Sequence, residues 1–109
     1  MNYLRSGIEA IPRLSSSTPA QGSISTVAGQ AVAANADRKA LLIVNTGTTV
    51  LKGTLGSATP TQTVYHFALA GCTTGDDGTG GAYFDDQWIG AVQIISDGSG
   101  GTYVLTEIE

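Results

Sequence analysis

No stretch of this 109-residue sequence repeats its apolar residues at a helical interval for ten residues or more. That constrains the fold more than any motif in the chain. From residue 23 onwards the apolar runs are short, and Gly, Asp, Asn, Ser and Thr stand between them. Thr and Val suit a pleated surface, whereas Gly and Asp interrupt it and turn the chain. The sequence therefore predicts an all-β fold: a small antiparallel β-sandwich, jelly-roll-like, with an extended N-terminal arm.

Six strands are expected. "SISTVA" (23–28) alternates loosely, and "KALLIVNT" (39–46) is apolar enough for a strand buried on both faces. "TVLKGTLG" (49–56) puts Leu51, Gly53 and Leu55 on one face and Lys52 and Thr54 on the other. The connection "NTGT" between these two reads as a hairpin. "TVYHFALA" (63–70), "QWIGAVQIIS" (87–96) and "GTYVLTEIE" (101–109) follow, with "DGSGG" as a second hairpin signal between the last two. Residues 28–40 leave room for one helical turn.

Residues 1–22 differ from the rest. Leu4, Ile8 and Ile11 fall on one helical face, but Gly7 weakens that helix and Pro12 drives Ile11 out of the α region. "SSSTPAQG" (15–22) reads as a flexible linker. The expected division is an arm and linker over 1–22 and a sandwich domain over 23–109. Disordered tails are poor in large apolar residues. Leu4, Arg5, Ile8, Ile11, Arg13 and Leu14 are therefore expected to contact a partner. A sandwich of this size without staples is near the lower limit for burying a core, so subunit contacts are a natural source of added stability.

Charge narrows the function classes. Five basic residues (Arg5, Arg13, Arg38, Lys39, Lys52) face two acids before residue 53, leaving that part at +3. Seven acids and no base follow, leaving the remainder at −7. A nucleic-acid partner is not expected, because no concentrated basic surface is available to displace counterions. The asymmetry suits solvated loops or head-to-tail contact between neighbouring copies. No apolar run approaches a membrane span, and Arg5, Ser6, Glu9 and Arg13 interrupt any signal-peptide core. The lone Cys72 excludes an internal disulfide and suggests synthesis in a reducing compartment.

The motif most suggestive of chemistry is "GCTTGDDGTGG" (71–81), with five glycines and two aspartates in eleven residues. It lacks the lysine that a phosphate loop needs, and Tyr83 stands where a dinucleotide fingerprint requires glycine. Asp76, Asp77, Asp85 and Asp86 offer hard oxygen ligands, but without EF-hand spacing; turn formation is the favoured role. His66 has no nucleophile motif beside it and is expected to be a half-buried structural or interface residue. Trp88 is expected at the centre of the core, with an aromatic platform for sugars (Trp88, Tyr83, Phe84, Tyr103) as the alternative. An enzyme is not expected, nor is any cofactor or metal.

"ADRKALLIVNTGTTVLKGTLGS" (36–57) and "WIGAVQIISDGSGGTYVLTEIE" (88–109) resemble small β-sandwich virion proteins of tailed bacteriophages, above all head decoration (cement) proteins. The pattern is Arg38, the apolar strand Leu41–Val44, Asn45 and Gly47 turning into a second strand, then Trp88 and Gly90 and a Gly-rich hairpin into an acidic last strand. The resemblance covers about half of the chain. It implies a homotrimer on the outer capsid surface of the virion, made in the host cytoplasm, with the major capsid protein as partner. In such proteins N-terminal arms extend over neighbours. A tail, collar or host-binding fibre component is the alternative, and a carbohydrate-binding module using Trp88 and Tyr83 the third reading.

Overall fold

The computed structural model describes residues 14–109, and these form two four-stranded antiparallel sheets with no helix among them. The strands are β1 (Ser17–Ile24), β2 (Gly29–Val32), β3 (Ala40–Asn45), β4 (Leu51–Leu55), β5 (Phe67–Leu69), β6 (Ala82–Asp85), β7 (Val92–Ser96) and β8 (Gly101–Ile108). One sheet, here sheet A, runs β1-β8-β3-β6; the other, sheet B, runs β2-β7-β4-β5. Of consecutive strands, only β4 and β5 are neighbours in one sheet; every other connection crosses between sheets. This is the order of a jelly roll, in which two packed sheets share one core.

The core follows from the alternation of each strand. Leu41 and Ile43 of β3, with Tyr103 and Leu105 of β8, face inward from sheet A. Leu51, Leu69, Val92 and Ile94 meet them from sheet B. Gly53 faces inward as expected, and it has to be glycine: the ring of Phe67 lies where a Cβ would sit. That ring stacks on Tyr83 at 4.3 Å and 11° between planes, bridging the edge strands β5 and β6. The stack closes the open side of the sandwich with an offset aromatic contact.

Several expectations need correcting. Residues 17–22, read as linker, belong to β1, which pairs with β8 along its whole length from Ser17↔Ile108 to Ile24↔Gly101. The polar side chains that suggested a linker are those of an exposed edge strand; Pro19 is tolerated there because one side of the strand has no ladder partner. The connections 46–50 and 97–100 are not hairpins. Each carries the chain from one sheet to the other, and β3 and β8 instead pair together, from Ala40↔Ile108 to Asn45↔Tyr103. Residues 63–66 and 87–91 lie outside strands, while β2 and β6 were not expected. The 28–40 region holds no helical turn; its one hydrogen-bonded turn is at Ala36 and Asp37, closed by the Arg38 N–H donating to the Asn35 carbonyl at 3.1 Å. β3 is fully buried on its inner face; on the outer face Ala40 is buried, while Leu42 and Val44 are partly exposed.

Candidate interaction surface

The polar groups inside the sandwich are committed to holding its loops. Arg38 is 3% exposed and donates four hydrogen bonds. They reach the Ala33 carbonyl at 2.7 Å, the Gly90 carbonyl at 3.0 Å, the Trp88 carbonyl at 3.2 Å and Glu107 Oε2 at 3.0 Å. A rigid guanidinium fork thus ties the segment after β2 and the loop before β7 to the end of β8. At the other end of the sandwich, Asn45 Nδ2 faces the carbonyls of Thr49, Leu69 and Ala70, while its Oδ1 accepts the Gly47 N–H. Among the described residues no buried side-chain nitrogen or oxygen lacks a hydrogen-bond partner.

The 71–81 loop is equally self-contained. Asp77 Oδ1 accepts from the Thr79 N–H at 3.0 Å and its hydroxyl at 2.5 Å; Oδ2 accepts from the Thr74 N–H at 3.0 Å and its hydroxyl at 3.3 Å. These bonds, those from Thr79 foremost, hold the carboxyl far below the usual range. They also occupy the lone pairs a cation would need. Gly75 and Gly78 have φ of 52° and 83°, so the loop tip turns through left-handed backbone. The described residues contain no group of three or more His, Cys, Asp or Glu placed to hold a metal ion.

The remaining candidates also have structural roles. His66 is exposed rather than half-buried, and its Nδ1 accepts the Leu55 N–H at 2.9 Å, extending the β4–β5 link. Asp85 accepts from the Tyr83 hydroxyl at 2.6 Å and from the N–H groups of Gln87 and Trp88. The Tyr83 bond is the main cause of the lowered Asp85 pKa. Burial, aided by this carboxylate, pushes Tyr83 up to about 12. Trp88 is a partly buried residue packed against the core, not its centre, and its Nε1 donates to the Ala91 carbonyl at 3.0 Å. Tyr83 stacks on Phe67, Tyr103 is buried and Phe84 is exposed, so these aromatics form no shared platform.

What stands out is the difference between the two outer sheet faces. On sheet B, the β4–β5 loop folds back over the strands. Ala58 accepts from the Thr54 hydroxyl, Gln62 accepts from Lys52 Nζ at 2.6 Å, and Gln62 Nε2 donates to the Ser96 carbonyl at 2.8 Å. Pro60 is fully buried there and outward-facing Ile95 is only 6% exposed. Sheet A has no such cover among the described residues. Its register sets Pro19, Thr106, Leu42 and Phe84 in one row, and Gln21, Val104, Val44 and Ala82 in the next. Ser17, Ile108 and Ala40 form a third. No charged residue stands in these rows, and Phe84 is 59% exposed. This outer face is the candidate interaction surface among the described residues.

Of the arm residues singled out from the sequence, Leu4, Arg5, Ile8, Ile11 and Arg13 lie outside the described residues. Leu14 is 58% exposed and lines a shallow hollow with Ser15, Ser16, Ser17 and Ile108. Sequence reasoning missed the sheet A face because it paired β3 with β4. Leu42, Val44, Val104 and Ile108 share a face only once β3 and β8 are neighbours.

The sequence matches no family model and no curated protein. The fold is shared with a chain from the solved structure of Bacillus endospore appendages, described as a novel family of disulfide-linked pili. The TM-score is 0.52 over 89% of each chain, at 10% identity. That similarity establishes a shared β architecture.

Proposed function

We propose that this chain is a non-catalytic structural subunit, a decoration protein that attaches to the outer surface of a tailed-phage capsid and reinforces contacts between capsomers. The observation that carries a structural role is the uncharged, uncovered outer face of sheet A, beside buried polar groups that all serve the fold. In this reading the face and the arm residues Leu4, Arg5, Ile8, Ile11, Arg13 and Leu14 meet neighbouring copies and the major capsid protein, with three copies forming the attached unit. A component of a tail, collar or other fibre is the second reading, favoured by a fold shared with a chain of appendages that are pili. Assembly in either case is non-covalent, since Cys72, the sole cysteine, is 5% exposed and its Sγ faces the Asn45 carbonyl at 3.4 Å.

Light scattering after size exclusion, across a range of concentrations, tests this. The full chain should form a discrete multimer as concentration rises. Phe84→Glu, placed on an exposed edge position, should suppress it without lowering the melting temperature. A chain that stays monomeric throughout and fails to co-sediment with capsids would remove the reading.

A further inference from the structure

The strands at the edges of the two sheets are not alike. β2 has four residues and a register shift between Gln30 and Val32; β5 has three residues and β6 four. β1 is eight residues long, pairs with β8 without a shift and carries no charged residue. Short length, bulges, charge and proline are the usual protections of an edge against pairing with another chain, and β1 has only Pro19. We propose that the outer edge of β1 pairs, antiparallel and across a two-fold axis, with the same edge of a second copy, setting Gln21 of each opposite Ser23 of the other.

The alternation of the β1–β8 ladder determines which backbone groups are available. Ser16 and Glu109 exchange both bonds, the Ser16 N–H donating at 3.0 Å and the Glu109 N–H at 2.8 Å. Such pairs recur at every second residue of an antiparallel ladder. Thr18, Ala20, Gly22 and Ile24 therefore bond to β8, while Ser17, Pro19, Gln21 and Ser23 direct their backbone groups away from it. Among the described residues no strand lies on that side. Pro19 has no N–H to offer there, and this decides the register. In the pairing proposed, Gln21 and Ser23 of the two copies exchange both of their N–H···O bonds. Pro19 then falls opposite Ser25 of the second copy, whose carbonyl already accepts the Ser96 N–H at 2.9 Å. The residue without a donor meets the one whose acceptor is taken. A slip in one direction sets Pro19 against Ser23, and in the other Gln21 against Ser25; either forfeits a bond.

The occupant is a second copy because the edge is complementary to itself. A two-fold axis brings identical residues together, and a strand without charge meets no repulsion there. On the inner side the exposed Ala20 comes opposite the half-buried Ile24 of the second copy, an apolar cross-strand pair. Gly22 lies at the axis; the Tyr103 ring occupies the place of its Cβ, so no side chain stands at the crossing. Each copy uses its β1 edge once, so the contact closes as a pair. It holds independently of the capsid reading, and on a capsid it would link one attached unit to the next.

Disulfide trapping in the full chain tests the pairing and its register together. Gln21→Cys and Ser23→Cys are made separately, then oxidised alone and mixed, at the highest concentration at which the protein stays soluble; Cys72 is buried and does not compete. Directly opposed residues of a bonded pair have Cα atoms about 5.5 Å apart, and diagonal ones about 7–8 Å. A disulfide needs less than about 7 Å, so the mixture should form 21–23 disulfides roughly ten-fold faster than either variant alone forms its own. Adding Ser23→Pro to the Gln21→Cys chain removes an N–H that β8 does not use, and should reduce trapping to the single-variant rate. Equal rates in all three samples, a preference for 21–21 or 23–23 disulfides, or no disulfide at all would overturn the proposal. Trapping that survives Ser23→Pro unchanged would also overturn it.

Discussion

Replacing Arg38 with methionine keeps most of the side chain's bulk and removes all of its hydrogen bonds. The structure allows the cost to be apportioned. Three backbone carbonyls, those of Ala33, Trp88 and Gly90, lose a charged donor, and Glu107 loses its ion pair. An unmet buried acceptor costs about 1–3 kcal/mol. The loop carbonyls are only partly buried, so the lower end applies to each. The Glu107 side chain is 29% exposed, so water takes up part of that loss and the pair itself counts for about 1 kcal/mol. The total is about 3–5 kcal/mol, the range for breaking a buried pair. For a domain of this size it lowers the melting temperature by about 15–30 °C. Urea denaturation of Arg38→Met, Glu107→Gln and the double variant separates the parts. The expected result is a large loss for Arg38→Met, about 1 kcal/mol for Glu107→Gln, and a coupling of similar small size. A Glu107→Gln loss as large as that of Arg38→Met would refute the reasoning, because the ion pair and not the carbonyl clamp would then hold the loops.

Alkali should destabilise the fold through Tyr83. Its folded value of about 12 lies above the ordinary 10, so its contribution is fully present below about pH 10 and is lost as pH rises towards 12. Denaturant midpoints measured against pH should fall less steeply over that window in Tyr83→Phe. Towards acid, Asp85 behaves oppositely: its lowered folded value adds stability above the ordinary carboxylate range, lost as pH falls through the depressed value. Asp85→Asn should flatten that acid limb in the same titration. Gly53→Ala drives a methyl into the Phe67 ring and should cost about 1–3 kcal/mol as overpacking, with a change in the near-ultraviolet signal of the Phe67–Tyr83 stack. Because Asp77 already satisfies its loop, excess calcium and chelator should leave the melting temperature unchanged.

The strands legible in the sequence were those with strong apolar content. β3, β4, β7 and β8 each carry core residues, and the alternation of Leu51, Gly53 and Leu55 was correct in detail. β1 was hidden because its order comes from eight residues of pairing with β8, a partner at the far end of the chain. β2 and β6 are four-residue edge strands, too short for an alternation to register in the sequence. The two hairpin assignments failed for a different reason. Gly47, or the "DGSGG" stretch, reverses the chain equally well within one sheet or between two, and local turn chemistry does not distinguish these. The outer face of sheet A was lost with that error. Arg38 drew notice only within a resembling pattern; that it clamps three carbonyls depends on loops remote in sequence.

The pairing of β8 between β1 and β3 also bears on how the protein is made. Sheet A has its penultimate strand in space supplied by its last strand in time. While the ribosome is still adding residues 101–108, β1 has no partner at all and β3 lacks one of its two. The nascent domain therefore holds open edges, and closes only when residue 108 has cleared the exit tunnel. A sheet dominated by such distant pairings is expected to fold slowly by comparison with helical domains of equal length. Until β8 is added, the open edges of β1 and β3 are the places where misassembly would start.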